Sequence, residues 1–260
     1  MGKTALVTGA SGGIGYELAK VFAQNKHNLI LVARSTDKLN RIQHELSEQY
    51  GVNATSLTHD LSDNAAPQCL FDQLQEQHRT VDVLVNNAGF GDNSAFVDSD
   101  WRKQNSMLQL NVVALTHLTR LLLPGMVARR SGQIMNVAST AAFQAGPYMS
   151  VYYASKAYVL SFTEAIAHEL KDTGVSAIAL CPGPTQSEFQ NRANLGDVEF
   201  FDASKIPTAA AVAQFGYDAL QRNQTVAVHG TTNKLLAFSN RLFPRKSITQ
   251  AIGNLQKPRT

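Results

Sequence analysis

The sequence predicts an α/β fold, a doubly wound parallel sheet of about seven strands with helices on both faces, forming a single domain. Three observations lead there. Short β-branched or leucine-rich runs alternate with longer stretches of helical period. Most of the short runs are apolar almost throughout, as strands covered on both faces must be. The first of them passes directly into a glycine-rich turn that opens a helix.

In chain order the strand candidates are TALVT, LILVA, ATSLT, VDVLVN, QIMNVA, VSAIAL and TVAVH. Between them lie GIGYELAKVFAQNK and TDKLNRIQHELSEQYG, then helices expected over residues 68–78, 105–129 and 151–172, and finally TAAAVAQFGYDALQRN. A right-handed crossover sets each helix against the sheet, and ligands on such Rossmann-like folds bind outside the carboxyl ends of the strands. No repeat, low-complexity tract or linker interrupts the pattern. The residues that follow each strand are therefore the place to look for chemistry.

Composition excludes several classes. A chain of 260 residues, 44% hydrophobic, is long enough to bury one sizeable core. Its net charge of +3 is too mild and dispersed for a nucleic-acid surface. Cys69 and Cys181 form neither a CxxC pair nor a Cys/His cluster, so no disulfide framework and no metal site is expected. The chain runs almost at once into KTALVTG, so no signal peptide is expected, and no apolar run approaches the roughly 18 residues of a membrane span. A soluble cytoplasmic protein is the expectation.

The turn after the first strand is TGASGGIG, residues 8–15. Glycines there permit a tight turn and bring a pyrophosphate close to backbone, while the helix start offers free N–H groups to its charge. A second motif lies in VYYASKAYVL, residues 151–160. Helical neighbours are three or four residues apart, so Tyr152 stacks on Lys156 at i and i+4, Tyr153 reaches it only at i+3, and Tyr158 does not face it. That spacing alone does not distinguish a tuned phenol from a packed tyrosine beside a lysine.

Further matches follow at successive strand ends: HDLSD with Asp60 and Leu61, NNAG over residues 86–89, Asn111 in the long helix, Ser139 in NVAST, and Pro182 with Gly183. With TGxxxGxG and Tyr-x-x-x-Lys, these residues resemble the short-chain dehydrogenase/reductase family in its single-domain branch. Tyr152 follows Ser139 by thirteen positions (152 − 139), the family's spacing, and Tyr153 fails both spacings.

The resemblance implies hydride exchange between a nicotinamide and a carbonyl or alcohol substrate. Tyr152 would donate or accept the proton, Lys156 would favour the phenolate and hold the nicotinamide ribose, Ser139 would hold the substrate oxygen, and Asn111 would tie Lys156 to solvent through a water. It implies cofactor contacts at Gly9, Ser11, Gly13, Ile14, Gly15, Asp60, Leu61, Asn87, Ala88, Gly89, Tyr152, Lys156, Pro182, Gly183 and Ser187, the last standing where the family's PGxxxT has Thr. An NAD enzyme of this architecture places Asp or Glu at the second strand's end; here stand Ala33 and Arg34. A guanidinium suits a 2′-phosphate, so NADP(H) is expected, with NAD(H) as the alternative.

Residues 184–207, with Phe189, Leu195, Phe200 and Phe201, are expected to form a substrate lid, and residues 231–260 a C-terminal tail. That tail mixes Leu and Phe with Arg241, Arg245 and Lys246, a pattern open to a membrane surface or to a closing segment broken at Pro244. The family habit implies a homodimer or homotetramer. A catalytically silent NADP-binding regulator and a membrane-peripheral lipid-carbonyl reductase are the alternative functions; the substrate itself is not legible.

Overall fold

In the computed structural model, residues 2–186 and 206–257 are described. Seven parallel strands form one sheet in the order β3-β2-β1-β4-β5-β6-β7: β1 Thr4–Thr8, β2 Asn28–Ala33, β3 Ala54–Thr58, β4 Val83–Asn86, β5 Gly132–Val137, β6 Val175–Cys181 and β7 Val226–Val228. Side chains alternate between faces along a strand, and here both faces are apolar. Ala5, Val7, Leu29, Leu31, Val83 and Val85 pack on one face with Leu18 and Phe22 of α1 (Gly13–Gln24) and Val212 of α7 (Ala209–Gln221). Leu6, Ile30, Val32, Leu84 and Ile134 pack on the other with Leu70 and Leu74 of α3 (Ala66–Glu76) and with Leu118 and Leu122 of the long helix. The remaining crossover on the β3 side is α2, Thr36–Tyr50.

The strand order reverses between β1 and β4. From β1 the chain winds outward through β2 and β3, then returns to pair β4 with β1 on its other side. A crevice opens at such a point because consecutive connections leave in opposite directions. Asn87 crosses it: its backbone N–H donates to Thr8 Oγ1 at 3.0 Å and its Nδ2 to Thr8 O at 2.9 Å.

The helix expected over residues 105–129 begins earlier and is not uniform. Asp100 caps α4 (Trp101–Leu108) by accepting from Arg102 N–H at 2.9 Å, which explains the earlier start. A π turn, Gln109–Ala114, joins α4 to α5, Leu115–Ala128. By length and composition alone, the 28 residues 101–128 are long and apolar enough to cross a bilayer, with a window of mean hydropathy 1.4. No uninterrupted run announces it, because buried Asn111 and Thr119 stand within it. Those residues bond inside the protein, and Leu118, Leu122 and Met126 belong to the sheet's core, so the segment is built into the fold as a core helix. The helix of the Tyr-x-x-x-Lys motif, α6, spans Ser150–Glu169.

A polar chain runs through this apolar centre. Asn86 Nδ2 donates to Asn136 Oδ1 at 2.9 Å and to Thr119 Oγ1 at 3.0 Å, and Asn136 Nδ2 donates to Thr163 Oγ1 at 2.9 Å. It ties β4 and β5 to α5 and α6, and all four side chains are buried. Asn136→Ala takes one hydrogen bond each from buried Asn86 Nδ2 and Thr163 Oγ1, which keep their bonds to Thr119 Oγ1 and Val159 O, so a loss of about 1 to 3 kcal/mol is expected in urea unfolding. Adding Thr163→Val should cost less than the sum of the two single changes, since they share one bond.

Candidate active site

The turn from β1 into α1 is shaped by its glycines. Gly9 has φ 67°, and a side-chain carbon there would lie 2.8 Å from Asn87 Nδ2 and 2.9 Å from Ala88 Cα. At Gly15 such a carbon would lie 2.3 Å from Gly9 O, so Gly15 lets the helix seat directly on the turn. The α1 N-cap is Gly12, which has no side chain to bond the first-turn N–H groups. Donors that no side chain satisfies, at a helix N-terminus with Ser11, Gly12, Gly13 and Ile14 lining a cleft, make a seat for an anionic group.

That cleft continues along the carboxyl ends of β4, β5 and β6. Gly9, Ser11, Gly13, Ile14, Asn87, Ala88, Gly89, Ser139, Tyr152, Lys156, Pro182 and Gly183 all line it. Gly15 lies behind the turn. Asn111 lies behind Gly89, where a side-chain carbon on the glycine would meet Asn111 Oδ1 at 2.9 Å and Lys156 Nζ at 3.6 Å. The π turn aims Asn111 inward: its Nδ2 donates to Phe90 O at 2.9 Å and Ser155 Oγ at 3.1 Å, and its Oδ1 accepts from Phe90 N–H at 3.1 Å. π turns recur at functional sites because the extra residue redirects one side chain.

Ser139 ends β5 and shares a hydrogen bond with the Tyr152 hydroxyl. Ser139 Oγ also accepts from Ala141 N–H at 3.1 Å, which holds the short 3₁₀ turn Thr140–Phe143 beneath the cleft. Tyr153 also lines the cleft as a wall residue, but its hydroxyl bonds the side chain of Gln256. The helix therefore delivers one of its adjacent tyrosines to Ser139 and turns the other to the C-terminal tail.

Electrostatics depart from the sequence expectation. Burial pushes the Tyr152 phenol up to about 12, only partly offset by the Ser139 bond, with Tyr153 adding to the rise. Lys156 is itself buried, which pulls its ammonium down to about 8, only partly offset by the neighbouring Cys181. Its Nζ donates to Val137 O at 2.7 Å and stands 5.9 Å from the Tyr152 ring centre. Two groups losing water together move apart in pKa, and this desolvation outweighs the attraction expected of the i, i+4 pair.

Arg34, Asp60 and Leu61 stand at the ends of β2 and β3, outside the lining of this cleft. Arg34 and Asp60 approach at 3.9 Å, with side chains 70% and 49% exposed. Burial pushes the Asp60 carboxyl up, but the Ser62 hydroxyl and N–H and then Arg34 hold it below its ordinary value. The Leu61 side chain is buried in the sheet's core. Ser187 and most of the expected lid lie outside the described residues; Gln186 and Thr208 pair in a parallel bridge at its two ends. Sequence reasoning missed Thr185, Met149 and Gln256, which also line the cleft. For Thr185 the signal was there, a hydroxyl two residues beyond the Pro182–Gly183 turn.

Known proteins define the class. Residues 3–197 match the short chain dehydrogenase family, and the chain belongs to it. Its fold and family are those of the short-chain dehydrogenases. Sulfoacetaldehyde reductase 2 of Chromohalobacter salexigens is 32% identical over 93% of this chain and 96% of its own. Ketoacyl reductase HetN of Nostoc is 37% identical over 70% of this chain but 63% of its own, so the match spans less than two thirds of that relative. A short-chain dehydrogenase of Sphingobium yanoikuyae, solved in complex with NADPH, superposes with a TM-score of 0.82 at 28% identity, covering 95% of each chain.

The depressed Lys156 value has a thermodynamic consequence. Its folded pKa, about 8, lies below the ordinary 10.5, so between these values the unfolded chain binds more protons and stability rises with pH. The rise amounts to at most about 3 kcal/mol. Lys156→Met lacks it, so the wild type should gain on this variant in urea midpoint between about pH 8 and 10. A difference independent of pH would contradict the assignment.

Proposed function

We propose that this chain is an NADP(H)-dependent oxidoreductase that exchanges a hydride with a carbonyl or alcohol substrate, Tyr152 serving as the proton donor or acceptor. One observation carries the reading: the Ser139–Tyr152 hydroxyl pair, backed by buried Lys156, opens into the same cleft as the uncapped α1 N-terminus. The nicotinamide, when bound, supplies or receives the hydride. Gly9, Ser11, Gly13 and Ile14 would hold its pyrophosphate, with Gly15 allowing the close approach. Asn87, Ala88 and Gly89 would line the adenosine half, with Asp60 at its outer end beyond the cleft and Leu61, its side chain in the core, offering backbone only. Arg34 would take the 2′-phosphate, Tyr152 and Lys156 the nicotinamide ribose, and Pro182, Gly183 and Ser187 the nicotinamide side.

Carbonyl reduction builds negative charge on the substrate oxygen, which needs a proton as it forms. A phenol raised to about 12 is protonated at neutral pH, the form that donates. Ser139 would share its hydrogen bond with the substrate oxygen and orient it toward Tyr152. Lys156, near neutrality in its protonation balance, would refill the phenol, with Asn111 holding the backbone of Phe90 and Gly89 open for a water beside it. The relatives support carbonyl chemistry without agreeing on a substrate: one is a sulfoacetaldehyde reductase, another a ketoacyl reductase, and a structural neighbour of 27% identity is an L-sorbose reductase of Gluconobacter frateurii complexed with NADPH and L-sorbose.

NADPH consumption across a broad carbonyl panel tests the activity, and turnover of none would favour a silent cofactor-binding protein. Tyr152→Phe should nearly abolish turnover while NADPH still binds, whereas Tyr153→Phe should retain most of it; the reverse would refute the register. Arg34→Ala should weaken NADPH by about 1 to 3 kcal/mol and leave NADH unchanged, as read by fluorescence titration. Equal losses for both cofactors would remove Arg34 from the 2′-phosphate.

A further inference from the structure

The C-terminal tail has an inner and an outer side. Two helices compose it, α8 Thr231–Ser239 and α9 Arg245–Gln256, divided at Pro244, and neither has a buried residue. The inner side closes on the cleft mouth. A side-chain carbon at Gly183 would sit 2.4 Å from Asn233 Nδ2, Asn240 Nδ2 donates to Gln144 Oε1 at 2.8 Å, Gly253 packs on Pro147, and Gln256 bonds Tyr153.

The outer side exposes Leu235, Leu236, Phe238, Leu242, Phe243 and Leu255, each between 40% and 68% accessible. Large apolar side chains gathered within some twenty residues and left to water mark an interaction surface. Interleaved with them are Lys234, Arg241, Arg245, Lys246 and Lys257, and no Asp or Glu follows Asp218. Among the described residues none of these five cations has a carboxylate partner. Residues 231–260 carry six of the chain's 23 Lys and Arg and none of its 20 Asp and Glu, which leaves the first 230 residues at 17 − 20 = −3.

We propose that this outer face docks on an anionic lipid surface, the leucines and phenylalanines entering the interface and the cations meeting lipid headgroups. Apolar side chains interspersed with Lys and Arg on short helices bind such surfaces by combining buried area with electrostatic attraction. A second copy fits the patch poorly. A contact between two copies of this tail would bring together two cationic segments that hold no carboxylate of their own. Docking there would turn the cleft mouth, which the inner side of the same tail borders, toward the membrane. The inference concerns binding and stands independently of the oxidoreductase reading.

Flotation of the full chain with vesicles tests it without any turnover assay. Vesicles of phosphatidylcholine with about 30% phosphatidylglycerol should carry the protein, and phosphatidylcholine alone should not. Raising the salt to about 0.5 M should release most of it. Arg241→Gln with Arg245→Gln and Lys246→Gln should weaken binding at least about tenfold. Leu242→Glu with Phe243→Glu should abolish it, while circular dichroism and the mass in solution match the wild type. Failure to float, equal recovery with both vesicles, or binding unchanged in both variants would overturn the proposal. So would a fall in solution mass for Leu242→Glu with Phe243→Glu, because the patch would then be a subunit contact.

Discussion

A parallel sheet covered by helices on both faces leaves its interior without water, and every polar group placed there must find its partner within the protein. Asn86, Asn136, Thr119 and Thr163 meet much of that demand with one another, Asn86 Oδ1 excepted, and in doing so fix how α5 and α6 lie across β4 and β5. Asn111 meets it by bonding Phe90 and Ser155, Lys156 by donating to Val137 O. The same bonds that relieve desolvation hold the cleft's walls in register. Each side chain of the candidate catalytic group hangs from an element that this polar network positions.

Desolvation also sets the charges. Removing water from a phenol and an ammonium raises one and lowers the other, so Tyr152 and Lys156 are each biased toward their neutral forms. A neutral phenol is a ready donor, and a lysine close to losing its proton can pass one on. The arrangement is thus suited to moving a proton without keeping a permanent charge in the cleft. Further out, Arg34 and Asp60 approach each other but stay largely exposed, where solvent screens the pair.

Water shapes the C-terminal tail in the opposite sense. Polar contacts anchor its inner side at Gln144 and Tyr153, and Asn233 packs closely on Gly183, but its large apolar residues stay exposed. The core is already filled by the sheet and its crossover helices, and two short helices packed at the cleft mouth can cover only one side. Pro244, which denies the tail a single long helix, lets it bend around the mouth and present both faces.

The sequence by itself determined the class of fold and the alternation of its strands and helices, because apolar periodicity and glycine turns are local properties that survive without neighbours, and its motifs pointed to the family; the order of the strands came from the folded chain. It also selected Tyr152 over Tyr153, since helical geometry relates that residue to Lys156 and one chain-spacing relates it to Ser139. Tertiary structure alone decided what burial does. That Asn136 belongs to a four-residue network, that Leu61 faces the core, and that Tyr152 rises instead of falling in pKa all depend on what packs around those groups. So do the π turn that redirects Asn111 and the reach of Gln256 to Tyr153, more than one hundred residues away along the chain. Contacts between distant segments leave no periodic trace, so solvent exposure, and with it charge, is read only from the folded chain.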